Sequence, residues 1–343
     1  MTVGDMIPYP IRVVALGGGT GLPEVLRGFK AILFPNGADD AGRLVAVVTV
    51  TDDGGSSGRL REELGMLPPG DIRNCLVALS HNEPLMARLF QARFSRPEDL
   101  DGHPVGNLIL AALAQEEHEG FLAAIKLAGE VLNIQGRVCP STLVPTRLMA
   151  RLFDGREVAG ETALVEAASR VERLWLEPPR PPAAPGVAEA IRRADIVAMG
   201  PGSLYTSILP NLLIPEVAAA LRETCAFRVL VVNAMTERGE TEGFGAAEHV
   251  RAVLAYAGAG SLDAVLVPED VVPDETLARY QEEGAMPVAV VEEELRRLVP
   301  LVVRRPLLHV APVVRHDPLR TAGGILAAFA LHRDRVAAAR RQP

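Results

Sequence analysis

The feature that most constrains the fold is an apolar run that stops at a glycine-rich loop and is followed by a helical pattern. Residues 11–16 form an apolar run with one charged residue, Arg12, near its start. Residues 17–21 have the sequence GGGTG, and a helix-like stretch extends to about residue 33. A second apolar run over 44–50 is followed by a loop rich in glycine and serine. Neither run alternates with charged residues, which is typical of parallel strands covered on both faces. The pattern therefore favours an open sheet with helices on both sides.

The alternation of strands and helices continues to the C-terminus with one interruption. Helical patterns fill most of 71–132. Residues 138–177 then show short alternating segments around a turn at Asp154 and Gly155, which predicts a β-rich antiparallel insertion. Five prolines in the segment 178–186 predict a stiff, exposed connector.

We predict a single α/β domain over residues 1–343, built on a Rossmann-like, doubly wound, mainly parallel sheet that carries this insertion. Beyond the connector the predicted strands are 195–199, 228–233, 263–267, 287–291 and 307–313, and the predicted helices are 187–194, 215–224, 245–257 and 319–335.

Composition excludes several classes of protein. The 35 basic and 43 acidic residues give a net charge of −8, which argues against a nucleic-acid partner, and aromatic residues at 4% leave few surfaces for base stacking. No stretch approaches the ~18 apolar residues of a membrane span, and the N-terminus lacks the pattern of a signal peptide. Cys75, Cys139 and Cys225 are far apart and form no CxxC pair. We therefore expect a cytoplasmic protein with reduced, buried thiols.

The glycine loop after the first predicted strand is placed where open α/β sheets bind phosphate. Its free backbone N–H groups and the dipole of the following helix favour an anion, and Thr20 adds a hydroxyl donor. Leu22 stands where the dinucleotide fingerprint requires glycine or alanine, and no P-loop is present. The alternative is a tight turn that only packs the helix on the strand.

The loop after the second predicted strand is richer in side chains that bind ligands. Asp52 and Asp53 are candidates to bind ribose hydroxyls or Mg²⁺, and Ser56, Ser57 and Arg59 are candidates to bind phosphate oxygens. Alternatively, the loop is solvated and an aspartate caps a helix.

Further polar clusters open helices or follow other predicted strands. Asp71 suits a helix N-cap, and His103 lies in a turn framed by glycine and proline, where a structural histidine is more common than a catalytic one. The loop after strand 195–199 is a second cradle of glycines and hydroxyls. Because loops at successive strand ends converge on one crevice, we expect these groups to meet there. No nucleophile elbow, HExxH motif or Cys/His metal spacing is present, so we assign no catalytic residue.

Several sequence blocks resemble the signature blocks of a known family. They are VVALGGGTGLPEVLRGFK, VVTVTDDGGSSGRLREELGMLPPGDIRNCLVALS, GHPVGNLILAAL, GPGSLYTSILPNLLIPEVAAAL and NAMTERGETEGF. In this order they are similar to the bacterial gluconeogenesis factor family, also called the YvcK-like or UPF0052 proteins, over about residues 11–335. The same superfamily contains the 2-phospho-L-lactate transferases, and the resemblance implies their Rossmann-like fold.

The resemblance implies a regulatory protein that binds a nucleotide sugar, UDP-N-acetylglucosamine or UDP-glucose, and is required for cell shape and wall synthesis during gluconeogenic growth. It also implies no required cofactor, a homodimer, and cell-wall enzymes or their regulators as partners. Pro318 replaces a threonine that some members carry as a phosphorylation site, which argues against kinase control here. The ligand-binding residues expected from the loops and the resemblance together are Gly17, Gly18, Gly19, Thr20, Gly21, Asp52, Asp53, Ser56, Ser57, Arg59, Asn107, Gly200, Gly202, Ser203, Tyr205, Thr206, Asn233 and Arg315.

Three other functions stay open, and one of them is a hydrolase or transferase that acts on the sugar nucleotide itself. The related transferases use the glycine loop and nearby acidic residues for Mg²⁺, which makes Asp52, Asp53 and Asp71 the metal candidates for a transfer reaction on a phosphate ester. A NAD-dependent oxidoreductase is suggested by the fold alone, and the departure at Leu22 and the lack of a base argue against it.

Overall fold

A parallel sheet of seven strands forms the centre of the molecule. The computed structural model describes residues 10–37, 42–94, 100, 102–116, 120–310 and 313–339. The strands, in chain order, are β1 (Val13–Gly17), β2 (Leu44–Val48), β3 (Arg137–Pro140), β4 (Arg147–Leu152), β5 (Glu157–Ala159), β6 (Val171–Glu177), β7 (Ile196–Met199), β8 (Phe227–Val231), β9 (Ala264–Pro268), β10 (Leu301–Arg305), β11 (Leu308–Val310) and β12 (Val314–His316).

Helices connect most of these strands, and one π-helical turn, Leu204–Ile208, precedes α9. The helices, in chain order, are α1 (Gly21–Leu33), α2 (Gly55–Leu64), α3 (Gly70–Leu79), α4 (Glu83–Phe90), α5 (Val105–Glu116), α6 (Phe121–Val131), α7 (Glu161–Glu166), α8 (Val187–Arg193), α9 (Leu209–Leu212), α10 (Pro215–Glu223), α11 (Ala246–Ala257), α12 (Asp274–Glu282), α13 (Glu292–Leu298) and α14 (Pro318–Ala339).

The strand order in the central sheet is β10-β9-β8-β7-β1-β2-β3, and neighbouring strands are parallel. Val13 of β1 is in register with Leu44 of β2 on one side and with Ile196 of β7 on the other. The chain thus builds the sheet outward from β1 in one direction and then returns to extend it in the other. This is the doubly wound α/β fold that the sequence predicted.

Helices on both faces of the sheet produce two hydrophobic cores. Along β1, Val13 and Ala15 belong to one core, while Val14 and Leu16 belong to the other. The first core includes α1, α3, α6 and α14, and the second includes α8, α9, α10 and α11. Because both faces of the strands are buried, neither face selects polar residues, which explains the continuous apolar runs.

The antiparallel insertion is a separate three-stranded sheet in the order β5-β4-β6. Leu148 of β4 and Leu174 of β6 join the second core. The predicted start of the insertion at 138 is too early, because residues 137–140 form β3 and pair in parallel with β2. The connector that follows is exposed over residues 178–180, but Pro181 and Ala184 are buried, so it packs on the domain rather than crossing open solvent.

The C-terminal part of the sheet differs from the prediction. Residues 287–291 form only isolated bridges, at Pro287 and Ala289, because proline has no N–H group for a ladder. The predicted strand over 307–313 is instead the start of an antiparallel hairpin of β11 and β12, with residues 311–312 outside the described part. The prediction missed β10, an edge strand whose last two residues are exposed arginines.

The structure buries two of the three cysteines. Cys75 and Cys139 are buried as expected, but Cys225 is exposed, because it lies on the surface turn that enters β8.

Within the described residues, no single helix is long and apolar enough to cross a membrane. The helices Leu204–Leu212 and Pro215–Glu223 reach the necessary length and hydropathy only when combined, and the pair is bent by 76°.

A close contact between α1 and α14 fixes the first core against the sheet. A Cβ atom on Gly28 of α1 would lie 2.0 Å from the carbonyl oxygen of Pro318 and 2.8 Å from the Cβ atom of Ala322. Backbone therefore packs against backbone here, and no side chain fits between the helices. Gly323 of α14, by contrast, has open space where its Cβ atom would be.

We predict that Gly28→Ala lowers the free energy of unfolding by about 1–3 kcal/mol or more, because the added methyl group forces the two helices apart. The matched control, Gly323→Ala, should leave stability unchanged or raise it by up to about 1 kcal/mol, because alanine favours a helix over glycine. Urea unfolding of both variants measures the difference. Equal effects of the two substitutions would contradict the proposed helix contact.

Candidate functional site

The loops that follow β1 and β7 meet where the strand order reverses. A Cβ atom on Gly21 would lie 2.2 Å from the carbonyl oxygen of Pro201, so this approach requires glycine. A cavity of about 250 Å³ opens between the loops, and we call it the switch-point cavity. Its lining residues are Gly19, Thr20, Gly21, Glu24, Pro201, Gly202, Ser203, Asn233, Ala234, Met235, Thr236, Glu237, Tyr280, Val314, Arg315 and His316.

The switch-point cavity has a positive end. α1 begins at Gly21 with Thr20 as its N-cap residue, and no side chain caps the helix. The N-terminus of this 13-residue helix therefore presents the positive end of its dipole to the cavity. Within its first turn the Leu22 N–H donates to the Gly18 carbonyl oxygen at 3.5 Å, and Pro23 has no N–H. The exposed Arg315 of β12 contributes a guanidinium group to the same lining. Such an end suits a phosphate group.

One N–H group of the glycine loop already forms a hydrogen bond within the protein. The Gly19 N–H donates a hydrogen bond to Oδ2 of the buried Asp71, at 2.7 Å. Burial raises the pKa of Asp71 from its ordinary 3.8 to about 6, and the charge of Asp52 adds to the effect. The expectation that the loop offers only free N–H groups is therefore wrong at Gly19, because Asp71 lies within hydrogen-bonding distance of it.

Asn233, at the end of β8, holds the loop after β7. Its Oδ1 accepts a hydrogen bond from the Gly202 N–H at 3.0 Å, and its Nδ2 donates to Oε1 of Glu237 at 3.2 Å. Both ends of the amide are thus engaged within the protein. Asn233 lines the cavity but mainly fixes its shape.

Glu240 anchors the next turn of the same loop from behind. Its carboxylate accepts hydrogen bonds from the Tyr205 N–H at 3.0 Å and from the Thr206 hydroxyl at 2.9 Å. Burial raises the pKa of Glu240 to about 7, and the nearby charge of Glu237 adds to the effect. Tyr205 and Thr206 are buried and do not line the cavity.

A second cavity of about 230 Å³ lies at the N-terminus of α2. It is separated from the switch-point cavity by the pair formed by Gly19, which lines the first, and Asp71, which lines the second. The lining residues of the second cavity are Asp52, Gly54, Gly55, Ser56, Ser57, Gly70, Asp71, Arg73, Asn74, Arg93, Pro104 and Asn107.

Polar side chains in the second cavity form a chain of hydrogen bonds. Arg73 Nη1 donates to Asn107 Oδ1 at 2.8 Å, and Asn107 Nδ2 donates to Ser56 Oγ at 2.9 Å. Ser56 Oγ lies 2.8 Å from Nδ1 of His103. Burial lowers the pKa of His103, and the charge of Arg59 lowers it further. Burial also lowers the pKa of Arg73 to about 10, so the guanidinium stays charged at neutral pH.

Asp53 lines neither cavity. Its Oδ1 accepts hydrogen bonds from the N–H and the hydroxyl of Thr162, each at 3.0 Å, so it docks α7 of the insertion. Asp52, Asp53 and Asp71 therefore do not form one three-carboxylate site. Among the residues that the structure describes, no group of three acidic, histidine or cysteine side chains is arranged to hold a metal ion.

The eighteen expected ligand-binding residues divide into three groups. Gly19, Thr20, Gly21, Gly202, Ser203, Asn233 and Arg315 line the switch-point cavity. Asp52, Ser56, Ser57 and Asn107 line the second cavity. Seven residues line neither cavity: Gly17, Gly18, Asp53, Arg59, Gly200, Tyr205 and Thr206. Among these seven, Arg59 is exposed on α2.

Several acidic and aromatic residues in or near the two cavities are not among the predicted site residues. Glu24 lies in the first turn of α1, directly after the glycine loop, and lines the switch-point cavity. This spacing could have predicted its position at the cavity. Tyr280 comes from α12, and its Oη accepts a hydrogen bond from the Val314 N–H at 2.9 Å. Glu161 lines neither cavity, but burial together with the charges of Asp52 and Asp71 raises its pKa to about 9. Nothing local in the sequence marks Tyr280 or Glu161.

Comparison with known proteins identifies the family. The family described as 2-phospho-L-lactate transferase CofD matches residues 13–308. The gluconeogenesis factor of Bacillus subtilis (strain 168) is 43% identical over 312 residues, which cover 91% of this chain and 96% of that protein. The chain belongs to the CofD family and to its gluconeogenesis factor, or UPF0052, members.

Other members agree with this assignment. The putative gluconeogenesis factor of Nostoc sp. (strain PCC 7120) is 42% identical over 318 residues, which cover 92% of this chain and 68% of that protein. A crystal structure of a Bacillus halodurans protein matches this fold with a TM-score of 0.87 at 40% identity and covers 93% of this chain and 100% of that chain. The architecture described above is therefore that of the family.

We predict that Asp71→Asn stabilises this family member at high pH. Above a pH of about 6 the folded protein must hold a buried charge on Asp71, whereas at pH 4 the folded protein keeps the carboxyl protonated. The native state therefore loses stability as the pH rises from about 4 to above 6, by on the order of 2 kcal/mol. The asparagine amide oxygen still accepts the Gly19 N–H without a charge.

Urea unfolding at pH 4 and pH 8 measures this effect. The variant should exceed the wild type in stability at pH 8, and the difference should shrink at pH 4. A difference that is the same at both pH values would show that the ionisation of Asp71 does not control stability.

Proposed function

We propose that this protein binds a nucleotide sugar, UDP-N-acetylglucosamine or UDP-glucose, in the switch-point cavity and acts as a ligand-responsive regulator. The observation that carries the proposal is the uncapped N-terminus of α1, which faces the loop after β7 across the point of strand reversal. In open α/β sheets this is the place where nucleotides bind.

The charges around the cavity favour a ligand with both phosphates and hydroxyls. The N-terminus of α1 and the guanidinium of Arg315 attract the diphosphate. Glu24 and Glu237 place carboxylates in the same lining, where they repel phosphate but accept hydrogen bonds from ribose or sugar hydroxyls. A polyphosphate without a sugar would offer these carboxylates no hydroxyl donors and would be repelled by their charge.

The relatives supply the physiological setting. Proteins of this family from several bacteria are named gluconeogenesis factors, which supports a role for this chain in gluconeogenic growth. Within that role we propose that the liganded protein supports cell shape and wall synthesis. We further propose that it acts in the cytoplasm as a homodimer, with cell-wall enzymes or their regulators as partners and without nucleic acid.

A transferase acting on a phosphate ester is the second candidate function. Asp52 and Asp71 line the second cavity together with Arg73, and the family is described by a transferase activity. Mg²⁺ bound there would be held by Asp52 and Asp71 with phosphate oxygens of the substrate, a ligand set that Mg²⁺ accepts. It would neutralise the charge of the phosphate group during transfer.

Calorimetric titration of nucleotide-stripped protein with UDP-N-acetylglucosamine, with and without Mg²⁺, tests both candidates. We expect wild-type binding, and about tenfold weaker binding by Arg315→Ala, because one charged hydrogen-bond donor to the diphosphate is lost. The matched control is Arg297→Ala, which removes an exposed arginine of α13 that lines neither cavity.

NMR of the recovered ligand separates the two candidates. An intact ligand supports a regulator, and a ligand altered only in the presence of Mg²⁺ supports the transferase. Absence of binding to UDP-N-acetylglucosamine and UDP-glucose, or equal affinities of Arg315→Ala and Arg297→Ala, would overturn the assignment of the switch-point cavity.

A further inference from the structure

Ser56, which lines the second cavity, and the buried His103 beside it have the arrangement of a nucleophile and its base. Ser56 and His103 are 47 residues apart in the sequence, and Ser56 Oγ lies 2.8 Å from His103 Nδ1. Ser56 is the second residue of the 10-residue helix α2 and lines the cavity. The switch-point cavity and its ligand play no part in this pair.

The hydrogen-bond chain fixes the direction of the serine proton. Arginine can only donate, so the atom of Asn107 that faces Arg73 is the amide oxygen. The amide nitrogen of Asn107 must then donate to Ser56 Oγ. Ser56 therefore directs its own proton to Nδ1 of His103, which accepts it as a neutral imidazole. Its lowered pKa keeps His103 neutral at pH 7.

The surroundings of Ser56 suit an anionic electrophile. The N–H groups at the start of α2 have no partner within the helix and carry the positive end of its dipole. Arg73 is only 8% exposed and lines the cavity, and its Nε–H has no hydrogen-bond partner among the residues that the structure describes. With about 230 Å³, the cavity has room for a phosphate group and a small substituent.

We propose that Ser56 is a nucleophile toward phosphate esters and that His103 is its general base. The Ser56 oxygen attacks phosphorus, the bond from phosphorus to the ester oxygen breaks, and the serine proton passes to His103 Nδ1. His103 then gives this proton to the departing ester oxygen, which leaves as an alcohol, and a phosphoserine remains. Water regenerates the serine by the same route.

Labelling with methanesulfonyl fluoride, a small reagent for activated serines, tests the pair. The Ser56 oxygen forms a bond to sulfur, the sulfur–fluorine bond breaks, fluoride leaves, and the proton passes to His103. Peptide mass spectrometry should locate the label on Ser56. The neighbouring Ser57 is the matched internal control, because its hydroxyl accepts from the Gly70 N–H at 3.2 Å and no histidine hydrogen bond to it is seen among the described residues.

We expect His103→Asn to slow the labelling of Ser56 by about 100-fold or more, since general-base catalysis contributes at least that factor. His81→Asn, which replaces an exposed histidine that lines neither cavity, should leave the rate unchanged. Inorganic phosphate should slow the wild-type reaction by occupying the cavity. The wild-type rate should rise with pH through a transition below 6.5 as His103 loses its proton. Thermal unfolding of each variant establishes that it is folded.

Three results would overturn the proposal. They are labelling of Ser57 as fast as Ser56, a Ser56 rate that folded His103→Asn leaves unchanged, and a wild-type protein that is not labelled at Ser56. If phosphate does not protect Ser56, the phosphate-ester substrate class is overturned. None of these outcomes depends on nucleotide-sugar binding, so the two proposals fail separately.

Discussion

The reversal of strand order between β1 and β7 is the constraint on which the rest of this structure depends. The chain leaving β1 enters α1 on one face of the sheet, and the chain leaving β7 enters α9 and α10 on the other. Two adjacent strands thus send their loops apart and leave a crevice between them. Gly21 is the residue that lets the two loops approach each other before they diverge. The switch-point cavity follows from this topology.

The hydrogen bond from Gly19 to Asp71 divides the crevice into two chemically different cavities. On one side lie the N-terminus of α1 and Arg315, with carboxylates nearby. On the other side lie Ser56 and Arg73, beside acidic side chains whose burial raises their pKa. Holding ionisable groups in unfavourable surroundings costs stability, and such groups concentrate at functional sites. This pattern supports a function for both cavities.

The sequence predicted the fold and the crevice at the strand ends because both depend on local patterns. Apolar strands ending in glycine loops place the crevice, since the carboxyl ends of parallel strands share one edge. The edge strand β10 was missed because exposed arginines interrupt its apolar pattern. Asp53 was assigned to the ligand because its partner Thr162 is 109 residues away and belongs to the insertion. Likewise, only the folded chain brings His103 to Ser56 or Tyr280 to the cavity wall.

A crystal structure of the protein with UDP-N-acetylglucosamine shows which of the two cavities the ligand occupies. We expect the diphosphate at the N-terminus of α1 beside Arg315, with sugar or ribose hydroxyls on Glu24 or Glu237. Density for the diphosphate in the second cavity, or anywhere away from the junction of the β1 and β7 loops, would contradict it.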